Sequence, residues 1–228
     1  MPLTVQSTIA ALDDDLAPIR LVAERVADAD SVIDPRTAAA LLSRRPKIGV
    51  EAYACVVFAG VAPDVMTRYE EIQRSIGNRD FEIPLSYRNV LHRLNGAWIF
   101  QVSLYGLPPS MCQKPPLLDR SSRQPLDLGT ANQNWRKRYS TDLNHFHFGS
   151  GPHTFQENVA YFLDGDGRVF SLLPGAQQVS EWSSIQAFLS AEIPRAESLY
   201  PGFEDRMAAV QATTSLRKSA RNKRAPQR

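Results

Sequence analysis

Apolar residues recur at helical spacing in the first part of the chain. An acidic run at 13–15, which can cap and charge a helix start, precedes Leu16, Ile19, Leu21, Val22 and Val26. A second short helix is predicted over 37–43, since Pro35 is preorganised for a first helical position. The first fifty residues therefore predict a helical segment.

Two further helices are predicted in the next part of the chain. One begins at Pro63 or Asp64, and its apolar side is predicted to consist of Val65, Tyr69, Ile72 and Ile76. The other carries Tyr87, Val90, Leu91 and Leu94. Gly77-Asn78 is predicted to end the first helix and Asn95-Gly96 to stop the second, because Gly and Asn tolerate positive φ.

Other segments have the short apolar runs or the alternation of strands. Short β-like pieces are predicted at 97–100 and 102–105. Phe146 and Phe148 alternate with histidines, as in a half-buried strand. The apolar run at 52–62 predicts a buried element.

A hairpin is predicted near the C-terminus. Two strand-like runs, 159–163 and 168–172, flank Asp164-Gly165-Asp166-Gly167. The same tetrapeptide could open a calcium loop, but apolar strand residues follow within three positions, where such a loop needs ligands over about a dozen residues. A final helix is predicted over 183–189, with Trp182 anchoring its start. Strands bracketed by helices predict an α+β domain.

The composition is that of a globular protein, and the charge is unevenly distributed. Hydrophobic residues make up 43% and charged residues 22% of the 228 positions, which excludes wholesale disorder. The net charge is +2, but residues 217–228 carry six basic side chains and no acid, which leaves −4 for residues 1–216. This tail could bind nucleic acid or an anionic membrane weakly. The alternative, which we favour, is a solvated, disordered terminus.

The sequence predicts a cytoplasmic protein without a membrane partner. The longest apolar run has eleven residues, whereas a helix that spans a bilayer needs about 20. Residues 1–5 lack the basic start and apolar stretch of a secretory signal. Cys55 and Cys112 are expected to be reduced structural thiols.

Motifs of known catalytic chemistry were sought in the sequence. It contains no GxSxG, no glycine-rich phosphate loop followed by Lys-Ser/Thr, and no HExxH. His145, His147 and His153 form an HxH-x5-H cluster that could supply imidazoles to a metal-dependent enzyme, but an ordinary polar strand face is the interpretation we favour. We therefore predict no enzymatic activity, no metal, no cofactor and no small-molecule ligand.

Five motifs occur in the order found in one known family. They are Ile83-Pro84-Leu85-Ser86-Tyr87 with 91–94 and Asn95-Gly96, then 126–132 (LDLGTAN) with Trp135-Arg136, then 146–149, the hairpin, and 182–188. In this order they resemble the Smi/Knr-like, or SUKH, superfamily over about residues 64–192.

The resemblance implies a fold and a kind of function. The family fold is a mixed α+β domain with a central, largely antiparallel sheet flanked by helices. Bacterial members are immunity proteins that bind and neutralise a cognate polymorphic toxin, and fungal relatives regulate cell-wall synthesis and signalling. We accordingly expect a non-enzymatic binding protein of the immunity kind. A basic nuclease toxin is one possible partner, because the body of the chain is acidic.

The expected regions follow from this resemblance, and the expected contact residues are chosen as polar and aromatic residues of the kind common in binding surfaces. Residues 1–60 are expected to form a helical N-terminal extension, 61–195 the SUKH-like domain, and 196–228 a helix end with the basic disordered tail. The expected partner-binding residues are Trp98, Asn132, Asn134 and Trp135. Their alternative roles are core tryptophans and, for Asn132, a cap. The alternative function is a regulatory or scaffold module in which 1–60 docks onto the sheet domain or onto another protein.

Overall fold

Seven strands form one antiparallel sheet in the part of the chain that the computed structural model describes, namely residues 12–25, 55–108, 125–139, 142, 144–154 and 156–200. The helix predicted over 37–43, Cys112 and the tail at 217–228 lie outside these residues. The strands are β1 (Cys55–Ala59), β2 (Leu94–Ile99), β3 (Val102–Leu104), β4 (Phe146–Pro152), β5 (Asn158–Leu163), β6 (Val169–Leu173) and β7 (Gln177–Trp182). Their order in the sheet is their order in the chain, and neighbouring strands run antiparallel. The predicted α+β class is confirmed.

Helices precede, interrupt and follow the strands. They are α1 (Ala17–Arg25, after a 3-10 turn at Asp14–Leu16), α2 (Pro63–Ser75), α3 (Leu85–Arg93), α4 (128–139) and α5 (185–200). Helix α4 is continuous but irregular, because Leu128–Thr130 leads into a π-helical stretch, Ala131–Trp135, before Arg136–Tyr139. None of the helices in the described ranges is both long and apolar enough to cross a bilayer.

The main hydrophobic core lies between one face of the sheet and the helices. Phe148 and Tyr161, on neighbouring strands, meet the ring of Phe188 on α5 at centroid distances of 5.6 and 4.7 Å. Tyr87 of α3 lies 5.2 Å from Phe148. Each aromatic pair of this kind adds about 0.5–1.5 kcal/mol beyond the burial of its area. These contacts hold α3 and α5 on the same face of the sheet.

The N-terminal helix belongs to this core. Leu12, Leu16 and Ile19 are fully buried in it. Strand β1 pairs with β2 and is therefore part of the same sheet. The sheet therefore includes residues 55–59, which lie before the domain boundary expected at residue 60. Residues 12–25 of the expected extension pack on this sheet domain.

Two features at the C-terminal end were predicted and one was not. The hairpin is confirmed as β5 and β6, which pair from Leu163 with Val169 onward. Trp182 contacts Phe188 at 5.2 Å between ring centroids, as expected for the residue that anchors the start of α5. Strand β7 was not predicted, because its sequence is polar and mostly exposed and so lacks the alternation that marks a half-buried strand.

The apolar side predicted for α2 is right for Tyr69, which is buried, and wrong for most of the other positions. The buried residues of this helix are Met66, Tyr69, Glu70 and Gln73. Val65 and Ile76, which were assigned to the apolar side, are 37% and 59% exposed. Glu70 can be buried because it forms an ion pair with Arg88 and accepts a hydrogen bond from a backbone N–H. Hydrophobic spacing alone does not detect a helix face that buries paired polar side chains.

Asn95-Gly96 was predicted to stop α3, and this prediction is wrong. The dipeptide lies inside β2. The strand begins at Leu94, directly after the helix ends. The Asn95 side chain accepts a hydrogen bond from the N–H of Leu107 (2.7 Å) and donates one to its carbonyl (2.8 Å). Gly96 has a φ of 85°, and a Cβ there would lie 2.7 Å from the carbonyl oxygen of Leu104. The dipeptide therefore lets the chain after β3 pass close beside β2.

The hydroxyl of Tyr87 provides a first test of how α3 is attached. It donates a hydrogen bond to the carbonyl of Tyr105 (2.5 Å) and lies 3.3 Å from that of Phe148. Tyr87→Phe is expected to lower the free energy of unfolding by about 1–2 kcal/mol, because it leaves buried carbonyl groups with fewer donors. Urea unfolding measures this loss. The same substitution at half-buried Tyr139 is the control, and an equal effect of both substitutions would contradict the assignment.

Candidate partner-binding pocket

A pocket of about 560 Å³ opens where the start of α3, the side of α4 and the turn between β5 and β6 come together. Its lining comes from residues between 78 and 86, from Asn132 and Arg136, from Asn144 and Phe146, and from 164–167. Much of this lining belongs to the motifs that carry the family resemblance. Segments that are distant in the sequence are therefore brought to one concavity by the sheet and its helices.

The turn before α3 forms one side of the pocket, and a buried ion pair fixes it. Glu70 of α2 accepts a hydrogen bond from the N–H of Ile83 (2.8 Å) and forms an ion pair with Arg88. Arg88 in turn donates to the carbonyl of Ile83 (3.2 Å). Pro84 precedes α3 without a side-chain cap, so the first N–H groups of the helix have no partner within it.

The start of α4 is fixed by Asp127. The Asp127 carboxylate accepts hydrogen bonds from the N–H groups of Gly129 (2.7 Å) and Thr130 (3.4 Å), as an N-cap residue does. The Tyr69 hydroxyl also donates to Asp127, and it accepts from Gly129 (2.8 Å). Burial and the neighbouring Asp127 carboxylate raise the pKa of Tyr69 far above its ordinary value. The hydroxyl therefore stays protonated and keeps α2 joined to α4.

Asn132 joins α4 to the sheet. Its amide accepts a hydrogen bond from the N–H of His147 and donates to the carbonyl of the same residue, both at 2.9 Å. It also donates to the carbonyl of Leu128 (2.9 Å). Since β3 ends at Leu104, the Asn132 side chain supplies to β4 the donor and acceptor that a neighbouring strand would supply. This side chain sets the position of α4 against the sheet.

The turn between β5 and β6 closes the pocket. Asp164 accepts hydrogen bonds from the N–H groups of Asp166 (3.0 Å) and Arg168 (2.9 Å) and forms an ion pair with the Arg168 side chain (2.8 Å). Gly167 has a φ of 81°, which a tight turn requires here. The Asp-Gly-Asp-Gly segment is therefore a hairpin turn, as predicted.

The rim of the pocket is acidic. Its carboxylates are Asp80, Glu82, Asp164 and Asp166. Arg136 contributes the guanidinium of the lining. Burial lowers the pKa of Arg136, and the nearby Asp80 and Asp142 oppose this effect without cancelling it. Among the described residues no ion pair engages Glu82, whereas Asp166, whose side chain is 85% exposed, lies 3.9 Å from the guanidinium of Arg168. The lining residues have a net charge of −3, and Arg168, which is not among them, compensates part of it by pairing with Asp164 and Asp166. The remaining negative charge favours a cationic group.

The floor of the pocket is aromatic, and a buried amide beside it has no partner. The rings of Phe81 and Phe146 lie 6.0 Å apart. Asn78 is 9% exposed, and its Nδ2 is buried without a hydrogen-bond partner in the described part of the chain. Its backbone is fixed by bonds to Gln73 and Phe81, both at 3.0 Å. A buried donor left unpaired costs about 1–3 kcal/mol, which an acceptor from outside the chain would recover.

The four predicted contact residues lie in two places. Asn132, Asn134 and Trp135 are on α4, and of these Asn132 lines the pocket, although it is 3% exposed. Asn134 is exposed, and Trp135 packs on the core with its ring 5.7 Å from that of Tyr105. Trp98 is on β2, separated from β4 by β3, and is half-buried.

Three residues that line the pocket beside the start of α3 were not predicted from the sequence. Asn78, Asp80 and Phe81 stand in the turn after α2, and the sequence predicted only that a helix ends there. The helix-ending pair Gly77-Asn78 was the available signal, and it marks a turn without indicating what the turn faces.

The three histidines of the HxH-x5-H cluster have separate environments. His147 stacks on Phe162 at 4.7 Å, and its Nε2 lies 3.1 Å from the carbonyl oxygen of Gly149. Burial lowers the pKa of His147 to about 4, so the ring is neutral. The Nε2 atom of His145 lies 3.4 Å from a carboxylate oxygen of Asp142. His153 directly follows Pro152, the last residue of β4. Within the described ranges no three His, Cys, Asp or Glu side chains are grouped as metal ligands.

The chain matches no family model, no curated protein and no solved structure. The pocket and the motif order are therefore the observations from which a function can be argued.

Proposed function

We propose that this chain is a non-enzymatic binding protein of the immunity kind, which binds and neutralises a cognate toxin in the cytoplasm. The observation that carries the proposal is the pocket, whose lining combines four carboxylates with the rings of Phe81 and Phe146. The motif order that resembles the SUKH superfamily supports the same function. Inhibition by binding needs a fixed surface that complements a partner, and it needs no reactive group.

The rigidity of the pocket supports recognition of another protein. Each wall is held by buried hydrogen bonds, through Glu70 below α3, Asp127 at the start of α4 and Asn132 along it. A preformed surface loses little conformational entropy when a partner binds. The acidic rim would also accelerate encounter with a basic toxin, since complementary charge acts mainly on the association rate.

Growth rescue tests the proposed function. Expression of the gene beside this one in its genome is expected to stop the growth of a bacterial host, and co-expression of this chain is expected to restore growth. The two proteins are expected to co-purify. A neighbouring product that is harmless, or one that kills whether or not this chain is present, would contradict the immunity function.

Charge reversal then tests whether the pocket is the surface involved. Glu82→Lys with Asp166→Lys is expected to weaken the complex at least 10-fold, because like charges would then face the basic partner. The matched control is Glu71→Lys on the exposed side of α2, away from the pocket. This control changes the net charge by the same amount per substitution. Its affinity for the partner is expected to stay within 2-fold of that of the wild type, as measured by calorimetric titration.

A regulatory or scaffold role is the alternative, and one observation favours it. A second groove of about 680 Å³ lies between α1 and α5, and its lining combines apolar residues, among them Leu21, which is 60% exposed, with Glu24, Ser190 and Glu197. Apolar surface of this kind marks many contact sites. Several partners that require this groove, together with a gene neighbourhood that contains no toxin, would favour the scaffold role over the immunity role.

A further inference from the structure

We propose that the pocket recognises an arginine on a loop of the partner. The loop backbone accepts hydrogen bonds from Asn78 and from the first turn of α3, while the arginine side chain lies among the rim carboxylates. This inference rests on the proposed function and specifies which part of the partner the pocket binds.

The donors beside the pocket indicate that a ligand must bring acceptors. Asn78 is nine-tenths buried, and its Nδ2 donor has no partner in the described part of the chain. The first N–H groups of α3, at Leu85 and Ser86, border the same pocket and are not capped by a side chain. Backbone carbonyls of a loop are neutral acceptors, and they can approach these donors without repulsion from the acidic rim, which a carboxylate or phosphate would meet.

The rim indicates the charge of the side chain that accompanies those carbonyls. Glu82 and Asp166 are exposed carboxylates from two separate parts of the lining, one before α3 and the other in the hairpin turn, where Arg168 lies 3.9 Å from Asp166. The Arg136 guanidinium in the wall does not cancel them, because Asp80 and Asp142 lie near it. A cation that enters the pocket is therefore attracted from more than one side.

The aromatic floor favours arginine over lysine. Phe81 and Phe146 form a tilted pair beneath the rim, with an interplanar angle of 52°. A guanidinium is planar, is weakly hydrated, stacks on aromatic faces and binds carboxylates with two parallel hydrogen bonds. An ammonium group has none of these planar contacts and keeps its hydration more strongly.

Peptide titration of the full-length chain tests the inference without the natural partner. The probe is the acetylated, amidated pentapeptide Gly-Gly-Arg-Gly-Gly, and the matched peptides have Lys, Gln or Glu at the centre. NMR titration is expected to show saturable binding of the Arg peptide, at least 3-fold weaker binding of the Lys peptide, at least 5-fold weaker binding of the Gln peptide, and none of the Glu peptide. Equal binding of all four peptides would overturn the inference, as would equal affinity for free arginine amide, because the loop backbone would then contribute nothing.

Two variants locate the binding and separate it from folding. Glu82→Gln with Asp166→Asn is expected to weaken the Arg peptide about 5-fold, whereas Glu71→Gln, outside the pocket, leaves it unchanged. Asn78→Leu is expected to weaken binding of the peptide without lowering the urea midpoint of the chain, because the lost donor has no partner among the described residues. Undiminished affinity in Asn78→Leu would overturn the role of that amide.

The results also separate this inference from the proposed function. Arg-specific binding in the pocket, together with a harmless neighbouring gene product, would support the inference and contradict the immunity function. A toxin that binds equally well to the wild type and to the Glu82→Gln, Asp166→Asn variant would support the immunity function and overturn the inference.

Discussion

Replacing Asn132 with alanine is expected to lower the free energy of unfolding by about 4 kcal/mol. The substitution removes the acceptor for the N–H of His147 and the donor for its carbonyl. Both backbone groups are buried, because His147 is only 1% exposed. Each buried backbone group left unpaired costs about 1–3 kcal/mol. The bond to the carbonyl of Leu128 is lost as well. Urea unfolding followed by circular dichroism measures the change.

Two further variants make this prediction specific. Asn134→Ala, on the exposed side of the same helix, is expected to change stability by less than about 0.5 kcal/mol, so the loss at Asn132 cannot come from helix propensity. Asn132→Asp keeps the acceptor for the N–H of His147 but places an oxygen against its carbonyl, and it is expected to destabilise the protein as well. A loss below about 1 kcal/mol for Asn132→Ala would contradict the bridging role.

The stability of the protein is expected to fall by about 3 kcal/mol between pH 6.5 and pH 4 because of His147 alone. Burial lowers the pKa of this histidine from 6.5 to about 4, against the opposing effect of the carbonyl of Gly149. The unfolded chain therefore binds a proton at a pH where the folded chain does not. The contribution of His147 is fully present above pH 6.5 and is lost as the pH falls towards 4, at about 1.4 kcal/mol per unit of pKa.

The variant His147→Phe isolates this effect from other titrating groups. Phenylalanine fits the aromatic surroundings, which include Phe162, Tyr105 and Tyr139. The difference in unfolding free energy between wild type and variant is expected to depend on pH only within this window, with the wild type losing more stability on acidification. A difference that stays constant from pH 7 to pH 4 would contradict the lowered pKa.

Local signals in the sequence were sufficient for the hairpin and for α3. The Asp-Gly-Asp-Gly segment between two apolar runs is a strong turn signal, and Tyr87, Val90 and Leu91 occur at the spacing of a single helix face. Strand β7 and the buried face of α2 escaped prediction for a common reason. In both, polar residues occupy positions at which hydrophobic periodicity requires apolar ones. In β7 they lie along an exposed strand at the edge of the sheet, and in α2 they lie around a buried ion pair.

The pocket could be predicted only in part, because it is assembled from distant segments. Asn132 was predicted as a contact residue, and it does line the pocket, but its amide is used to hold α4 on β4. Nothing in the local sequence indicates that the turn at 78–82 faces the hairpin turn at 164–167, since this depends on where α2 and β5 lie in the folded chain. Trp98 was chosen for its residue type, and it lies on a different part of the sheet.

The order of the strands has a consequence for how such a protein can diversify. Each strand pairs with the strands that precede and follow it in the chain, so register is set between sequence neighbours. The exposed rim side chains Glu82 and Asp166 take no part in that pairing, and exposed positions in connecting segments tolerate substitution better than buried positions of the elements they join. A lineage can therefore change the rim to follow a changing partner while the buried bonds of Glu70, Asp127 and Asn132 keep the same scaffold beneath it.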